Sequence, residues 1–144
     1  LSEGFAVFRE FLQIKPDLHV AGQVRNGTTK GIDENALAAY NAPFPDDDHK
    51  QGVRQFPNLV PGTPRTPSAE PNKEAWKILR EWNKPFLCAF SDKDPIFSGV
   101  ENSFYKLVPG CEGMPHVTIK DAGHFLQEDQ PDACVEAILS IKDI

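Results

Sequence analysis

Several features common in proteins are missing or scarce in this sequence, and each absence narrows what it can do. Of its 144 residues one is a methionine, Met114, and the first residue is Leu1. A chain that does not open at an ordinary translation start is read as a fragment, an incomplete gene product or a processed product. No apolar stretch approaches the roughly 20 residues needed to span a bilayer, and residues 1–14 carry too many charges for a signal peptide. No membrane partner is therefore expected. There is no C-x-x-C and no H-E-x-x-H, and His116 and His124 are too far apart to share a helical face, so no metal or other cofactor is expected. Basic residues are outnumbered, 15 against 21 acidic, for a formal net charge of -6. Phosphate binding wants a basic face, which argues against nucleic acid as the partner. The cysteines are Cys88, Cys111 and Cys134, an odd number without a spacing pattern, which favours a reducing compartment and a cytoplasmic location. Finally, no G-x-S-x-G or comparable strand-to-helix elbow for a nucleophile occurs between Leu1 and Asp92.

What is present divides near Trp82-Asn83-Lys84-Pro85. Before that point the pattern is helices broken by prolines. Phe5, Phe8 and Leu12 recur at helical spacing behind Ser2 as N-cap. Leu18 to Arg25 predicts a second helix, closed by Asn26-Gly27, and Asp33 caps a third over Glu34 to Tyr40. Asn26-Gly27-Thr28 reads as a turn rather than a glycosylation acceptor. Ala42-Pro43-Phe44-Pro45 predicts a rigid extended linker, since a residue before proline is pushed out of the α region. Asp46-Asp47-Asp48 then start a helix running to about Leu59. A proline-rich loop follows from Pro61 to Pro67, and Asn72 to Trp82 is amphipathic, with Ala75, Trp76, Leu79 and Trp82 on one side. The acidic runs Asp46-Asp47-Asp48 and Glu128-Asp129 read as solvated loop or helix-start charges.

After that point strands and helices alternate. Pro85-Phe86-Leu87-Cys88-Ala89-Phe90-Ser91 is apolar without alternation, as a strand of a parallel sheet covered on both faces reads. Cys88 in this run is expected to be a buried small hydrophobe. Ser98 caps a helix from Gly99 to Val108, His116 to Lys120 is the second strand, and Gln130-Pro131 opens a last helix carried by Val135, Ile138, Leu139 and Ile141 or Lys142. The whole is one β-α-β-α unit, right-handed by rule.

The two strands are each followed by a residue that can do chemistry. Ser91-Asp92-Lys93-Asp94-Pro95 follows the first, and Ala122-Gly123-His124-Phe125-Leu126-Gln127-Glu128-Asp129 follows the second. Ligands of open parallel sheets bind at the carboxyl ends of the strands, so both loops face one crevice. A base histidine presents one ring nitrogen to the reacting water and donates its other N–H to a fixed acceptor. His124 fits that base and Asp94, further into its loop than Asp92, fits the acceptor. Gly123 is expected to let the backbone turn tightly beside His124.

These residues carry a resemblance. Ala39-Tyr40-Asn41-Ala42-Pro43-Phe44-Pro45-Asp46 and Gly52-Val53-Arg54-Gln55-Phe56-Pro57 look like the cap of a branch of the haloalkane dehalogenases, and Ala122 to Glu128 looks like its histidine loop, with Asp94 at its acid. The resemblance implies the C-terminal portion of an α/β-hydrolase fold. Residues 1–82 would be the helical cap (lid) region with its return helix, and 83–144 a β-α-β-α part of the core, incomplete without an N-terminal half. It implies hydrolysis of a small halogenated alkane through an alkyl-enzyme ester, with release of a halide ion. Asp94 and His124 would be the catalytic pair, and Phe5, Phe56, Pro57 and Val60 would line the substrate pocket. Where this branch usually has a cap tryptophan for the halide, this sequence has Phe8, which lacks an N–H donor. With the nucleophile absent, self-association or a companion chain is expected. An epoxide hydrolase is the nearest rival, but it needs cap tyrosines, and the only tyrosines are Tyr40 and Tyr105. A serine esterase would need an upstream elbow of another kind. A truncated or degenerate chain that only assembles as a structural protein is the non-enzymatic alternative.

Overall fold

The computed structural model describes residues 3–141, in two compact units: residues 3–26 with 32–75, and residues 27–31 with 76–141. Ser2 and Lys142 lie outside the described residues.

The first unit is helical: α1 (Glu3–Ile14), α2 (Val20–Asn26), α3 (Glu34–Asn41), a 3₁₀ turn (Asp48–Lys50), α4 (Gln51–Leu59) and the start of α5 (Ala69–Leu79). Leu12, Leu18, Val20, Ala21, Val24 and Leu37 form its buried residues together with Ala69. Two of its short helices have an N-terminal N–H met by a side chain. Asp33 accepts the Ala36 N–H at 2.8 Å, and His19 Nδ1 accepts the Gly22 N–H at 2.9 Å. Asn41 then ties α2 to α3 by accepting the Ala21 N–H at 3.2 Å. The last turn of α1 contains no basic residue, and Arg54 of α4 supplies one. Its guanidinium donates to the carbonyls of Leu12 (2.6 Å) and Lys15 (2.8 Å) and pairs with Asp47 at 3.1 Å. A cation on the unsatisfied carbonyls of a helix end also meets the negative pole of its dipole.

Three expectations are corrected here. Ala42 keeps helical dihedrals (φ -52, ψ -38) although Pro43 follows, because its N–H completes α3 on the Ala38 carbonyl at 2.9 Å. That bond outweighs the steric preference, and the Phe44 N–H closes a turn on Asn41, so the segment is not an extended linker. The helix expected from Asp46 begins as a 3₁₀ turn and becomes α-helical only at Gln51. The helix expected from Asn72 starts three residues earlier at Ala69, since Pro71 falls in its first turn, where no N–H is needed.

The second unit carries β1 (Ala89–Ser91) and β2 (Val117–Ile119), parallel, with Ala89 opposite Val117 and Ser91 opposite Ile119. Between them lie α6 (Glu101–Leu107) and a 3₁₀ turn (Pro109–Cys111); after them come α7 (Leu126–Asp129) and α8 (Pro131–Ser140). The apolar run is explained by cover on both faces. Cys88 packs with Val108 and Cys111, with Phe86, Phe90, Trp76, Leu79 and Phe104 around them. Leu87 and Ala89 pack on the other side, with Ile119, Ala122 and Ala137. Only Ala89–Ser91 pairs as strand, because the Phe86 N–H turns instead to the Gly110 carbonyl at 2.9 Å. Ser98 does not cap α6: Gly99 adopts φ +83, a conformation outside the helix, and the helix starts at Glu101 behind Val100. Val135, Ile138, Leu139 and Ile141 stay exposed, and Ala137 makes the buried contact of α8.

Gly110 sits where the chain crosses itself. A Cβ there would lie 2.0 Å from the Lys84 carbonyl oxygen. Gly110→Ala should lower the unfolding free energy by about 3 kcal/mol. Gly52→Ala, in α4 with nothing within 4 Å of the added carbon, should raise it by about 0.5 kcal/mol. Urea titrations followed by circular dichroism check both signs.

Candidate active site

The parallel ladder continues past its own strands. The Asp92 N–H donates to the Ile119 carbonyl (3.1 Å) and the Lys93 N–H to that of Ala122 (3.0 Å), while Asp92 Oδ1 accepts the Ala122 N–H at 3.3 Å. The two loops thus leave the sheet fastened together. Asp92 is used up as a staple, and Asp94 is the carboxylate that reaches the histidine.

Asp94 is only 6% exposed and both its oxygens are engaged. Oδ1 accepts the Ile96 N–H at 2.7 Å, closing an Asx turn over Pro95. Oδ2 lies 3.0 Å from His124 Nδ1. An ionised carboxylate only accepts, so Nδ1 carries a proton, and the lone pair of the neutral ring is then on Nε2. Nε2 has no hydrogen-bond partner among the described residues. The ring is confined by Phe97 (5.4 Å between centroids) and, edge-on, by Phe125 (5.0 Å). The arrangement is a partly shielded imidazole with a fixed tautomer and one free basic nitrogen.

The backbone under His124 is held by a residue the sequence reading misplaced. Glu128-Asp129 was expected to be solvated, yet Asp129 is 3% exposed. Its carboxylate accepts three backbone N–H groups: Gly123 at 2.8 Å, Thr29 at 2.9 Å and Lys30 at 3.0 Å. Burial alone pushes its carboxyl pKa up. The N–H bonds from Gly123, Thr29 and Lys30 outweigh that and hold it below the ordinary value. Nothing in its sequence context separates Asp129 from a solvated helix-start acid, because its donors Thr29 and Lys30 lie about a hundred residues away. Gly123 also has another role than the tight turn expected. Its φ is not among the positive ones; instead, a Cβ on it would fall 2.5 Å from the Gly27 carbonyl oxygen. Gly27 in turn presses on the Phe125 ring, which a Cβ would approach to 2.5 Å, and its carbonyl accepts the Phe125 N–H at 3.2 Å.

No cysteine offers a nucleophile beside this pair. Burial, and then the neighbouring Cys111, push the Cys88 thiol up to about 12. Among the described residues no group of three or more His, Cys, Asp and Glu side chains is disposed to hold a metal ion, and no helix is long and apolar enough to cross a membrane.

No family model matches the chain. Among curated proteins it is 45% identical over 139 residues to a haloalkane dehalogenase of Psychrobacter cryohalolentis, covering 96% of this chain and 46% of that protein. It is 40% identical over 136 residues to one of Mycolicibacterium paratuberculosis, covering 94% and 45%. Over nearly its whole length the chain is similar to haloalkane dehalogenases. It spans about half the length of the curated relatives it matches. Among solved structures, the tetrameric haloalkane dehalogenase DpaA from Paraglaciecola agarilytica NO2 matches with a TM-score of 0.86 at 26% identity, over 100% of this chain and 48% of that one. Haloalkane dehalogenase DatA from Agrobacterium tumefaciens C58 shares the fold, with a TM-score of 0.76 at 16% identity over 99% of this chain and 52% of that one. The helix-rich chain with its short parallel sheet is thus part of an α/β-hydrolase fold.

The residues expected to line a dehalogenase pocket all belong to the helical unit. Phe5 and Phe8 are half-buried on α1. Phe56, on α4, is 74% exposed. Pro57 sits inside α4 and Val60 ends it, both half-buried. Asp94 and His124 belong to the other unit.

The depressed Asp129 carboxyl links stability to pH. Its contribution is present above the unfolded carboxylate pKa of about 3.9 and is lost as pH falls through the lower folded value. Asp129→Asn should lower stability at neutral pH and flatten its decline on the acid side. Urea denaturation at a series of pH values checks this; a parallel decline in both proteins would contradict it.

Proposed function

We propose that this chain supplies the base and its orienting acid to a dehalogenase-type hydrolysis of small halogenated alkanes. The observation that supports it best is the 3.0 Å contact of Asp94 Oδ2 with His124 Nδ1, with Nε2 unengaged among the described residues. In this reading an aspartate outside these 144 residues attacks the halogen-bearing carbon. A carbon–oxygen bond forms, the carbon–halogen bond breaks, and halide leaves with the electron pair. His124 Nε2 then takes a proton from water, and the hydroxide attacks the carbonyl carbon of the alkyl ester. The bond between the carbonyl carbon and the alkyl oxygen breaks, the alcohol departs with the proton of the added hydroxide, the carboxylate is regenerated, and the imidazolium gives its proton to solvent. Asp94 holds the tautomer and stabilises the imidazolium that forms.

The rest of the reading follows the same resemblance. Residues 1–82 act as the lid and its return helix, and 83–144 as part of the core. Phe5, Phe56, Pro57 and Val60 line the pocket, and the exposure of Phe56 suits a side chain that meets substrate rather than core. Phe8 meets the halide with a ring edge instead of an N–H. The exposed apolar residues of α8 support self-association or a companion chain, and the dehalogenase DpaA is itself a tetramer. Epoxide opening is disfavoured by the tyrosines. The Tyr105 ring lies tilted against His116, 4.4 Å between centroids, beside the start of β2, whereas Asp94 and His124 follow the strands' other ends.

Two outcomes test the proposal in a protein that also contains the nucleophile. His124→Ala should still release the first equivalent of halide but stop there, with the alkyl adduct accumulating in intact-mass spectra; normal turnover would remove His124 from the role. Phe8→Trp should tighten halide binding about tenfold, as a charged hydrogen bond of about 1.5–3 kcal/mol requires. Unchanged halide affinity, read by fluorescence quenching, would take residue 8 out of the halide site.

A further inference from the structure

We propose that Asp129 is a positioning residue for His124, acting through the backbone on both sides of it; this rests on the reading of His124 as the base. Asp94 fixes one point of the imidazole, and one hydrogen bond leaves the ring free to swing with its backbone. On the near side, the N–H of the preceding residue, Gly123, donates to Asp129 Oδ2 at 2.8 Å. The peptide after it donates the Phe125 N–H to the Gly27 carbonyl at 3.2 Å. Gly27 opens the strap Gly27–Gly31, whose Thr29 and Lys30 N–H groups bind the same carboxylate at 2.9 and 3.0 Å. The strap is fastened twice more, by Lys30 Nζ on the Asp129 carbonyl at 2.6 Å and by Thr29 Oγ1 on the Asp121 carbonyl at 2.9 Å. One buried charge therefore closes a ring of contacts that runs through Gly123, His124, Phe125, Gly27 and Thr29.

The arrangement requires a carboxylate and not merely a polar side chain of that shape. Lys30 donates to Oδ1 and Gly123 to Oδ2. An asparagine here would turn its NH₂ against one of those N–H groups whichever way its amide is flipped. Asp129→Asn keeps the volume and loses the clamp, which makes it the informative substitution.

The test reads the His124 ring directly, by ¹⁵N and ¹H resonance in the chain itself and without reference to activity. The native protein should show an Nδ1–H tautomer with the downfield proton of a bond to Asp94. Asp129→Asn should lose that proton and give mixed tautomers. Ile119→Val, which trims the core beneath the loop without touching the clamp, should leave the His124 signals unchanged. If Asp129→Asn does not fold, Lys30→Met decides: Lys30 is exposed, and loss of its bond to the Asp129 carbonyl should shift the same signals part of the way. Native His124 signals in folded Asp129→Asn, or in Lys30→Met where that variant decides, would overturn the proposal while leaving the base assignment standing. A native protein without the Nδ1–Asp94 proton would overturn both. In a protein that contains the nucleophile, Asp129→Asn should slow ester hydrolysis about a hundredfold, as a displaced catalytic group does, and leave the halide-release burst unchanged. A burst slowed equally would mean that Asp129 acts on the fold as a whole.

Discussion

The parallel register of β1 on β2 is the constraint from which the site hangs. Parallel strands end at the same edge of a sheet, so the loops that follow them emerge side by side. Here the pairing runs on beyond the strands, through Asp92 on Ile119 and Lys93 on Ala122. Asp94 and His124 therefore start from backbones already locked to each other. A slip of the register would break those bonds and carry the carboxylate away from the imidazole. The apolar cover on both faces of the sheet is what forbids the slip, since each face has its own cluster to satisfy.

Two buried carboxylates share the small region around His124, and they survive burial by different means. Leaving a carboxylate unpaired in an apolar setting costs several kcal/mol at least. Asp94 meets one N–H and one imidazole, an arrangement that can gain a full ion pair when the ring takes a proton. Asp129 is held by backbone N–H groups and by Thr29, none of which titrates, so its support is constant through the cycle proposed for its neighbour. One acid is placed to respond to the proton on His124, and the other to keep the loop still while that happens.

Much of this was legible in the sequence because it is local. The Asp33 cap, the buried Cys88 and the order of strands and helices each follow from a few neighbouring residues. The pairing of Asp94 with His124 was legible for a related reason: both sit just past strands, and the rule for parallel sheets brings such loops together. Three features were hidden because their causes are distant or close to balance. Asp129 looks like any surface acid until Thr29 and Lys30 arrive from the other end of the chain. Gly123 looks like a turn residue until the Gly27 carbonyl is found against it. Ala42 looks extended, since the preference set by Pro43 is visible in sequence and the single helical bond that defeats it is not.

The chain spans about half the length of the curated relatives it matches, and the contacts described around His124 lie within that half. Among the described residues, the contacts that orient His124 come from residues 27–31 and 91–129: the acid, the two aromatic walls, the Gly27 carbonyl and the Asp129 carboxylate. The first of these segments is five residues of strap inserted between helices of the other unit, yet it counts with the core. It carries the same charge-bound backbone that supports the histidine.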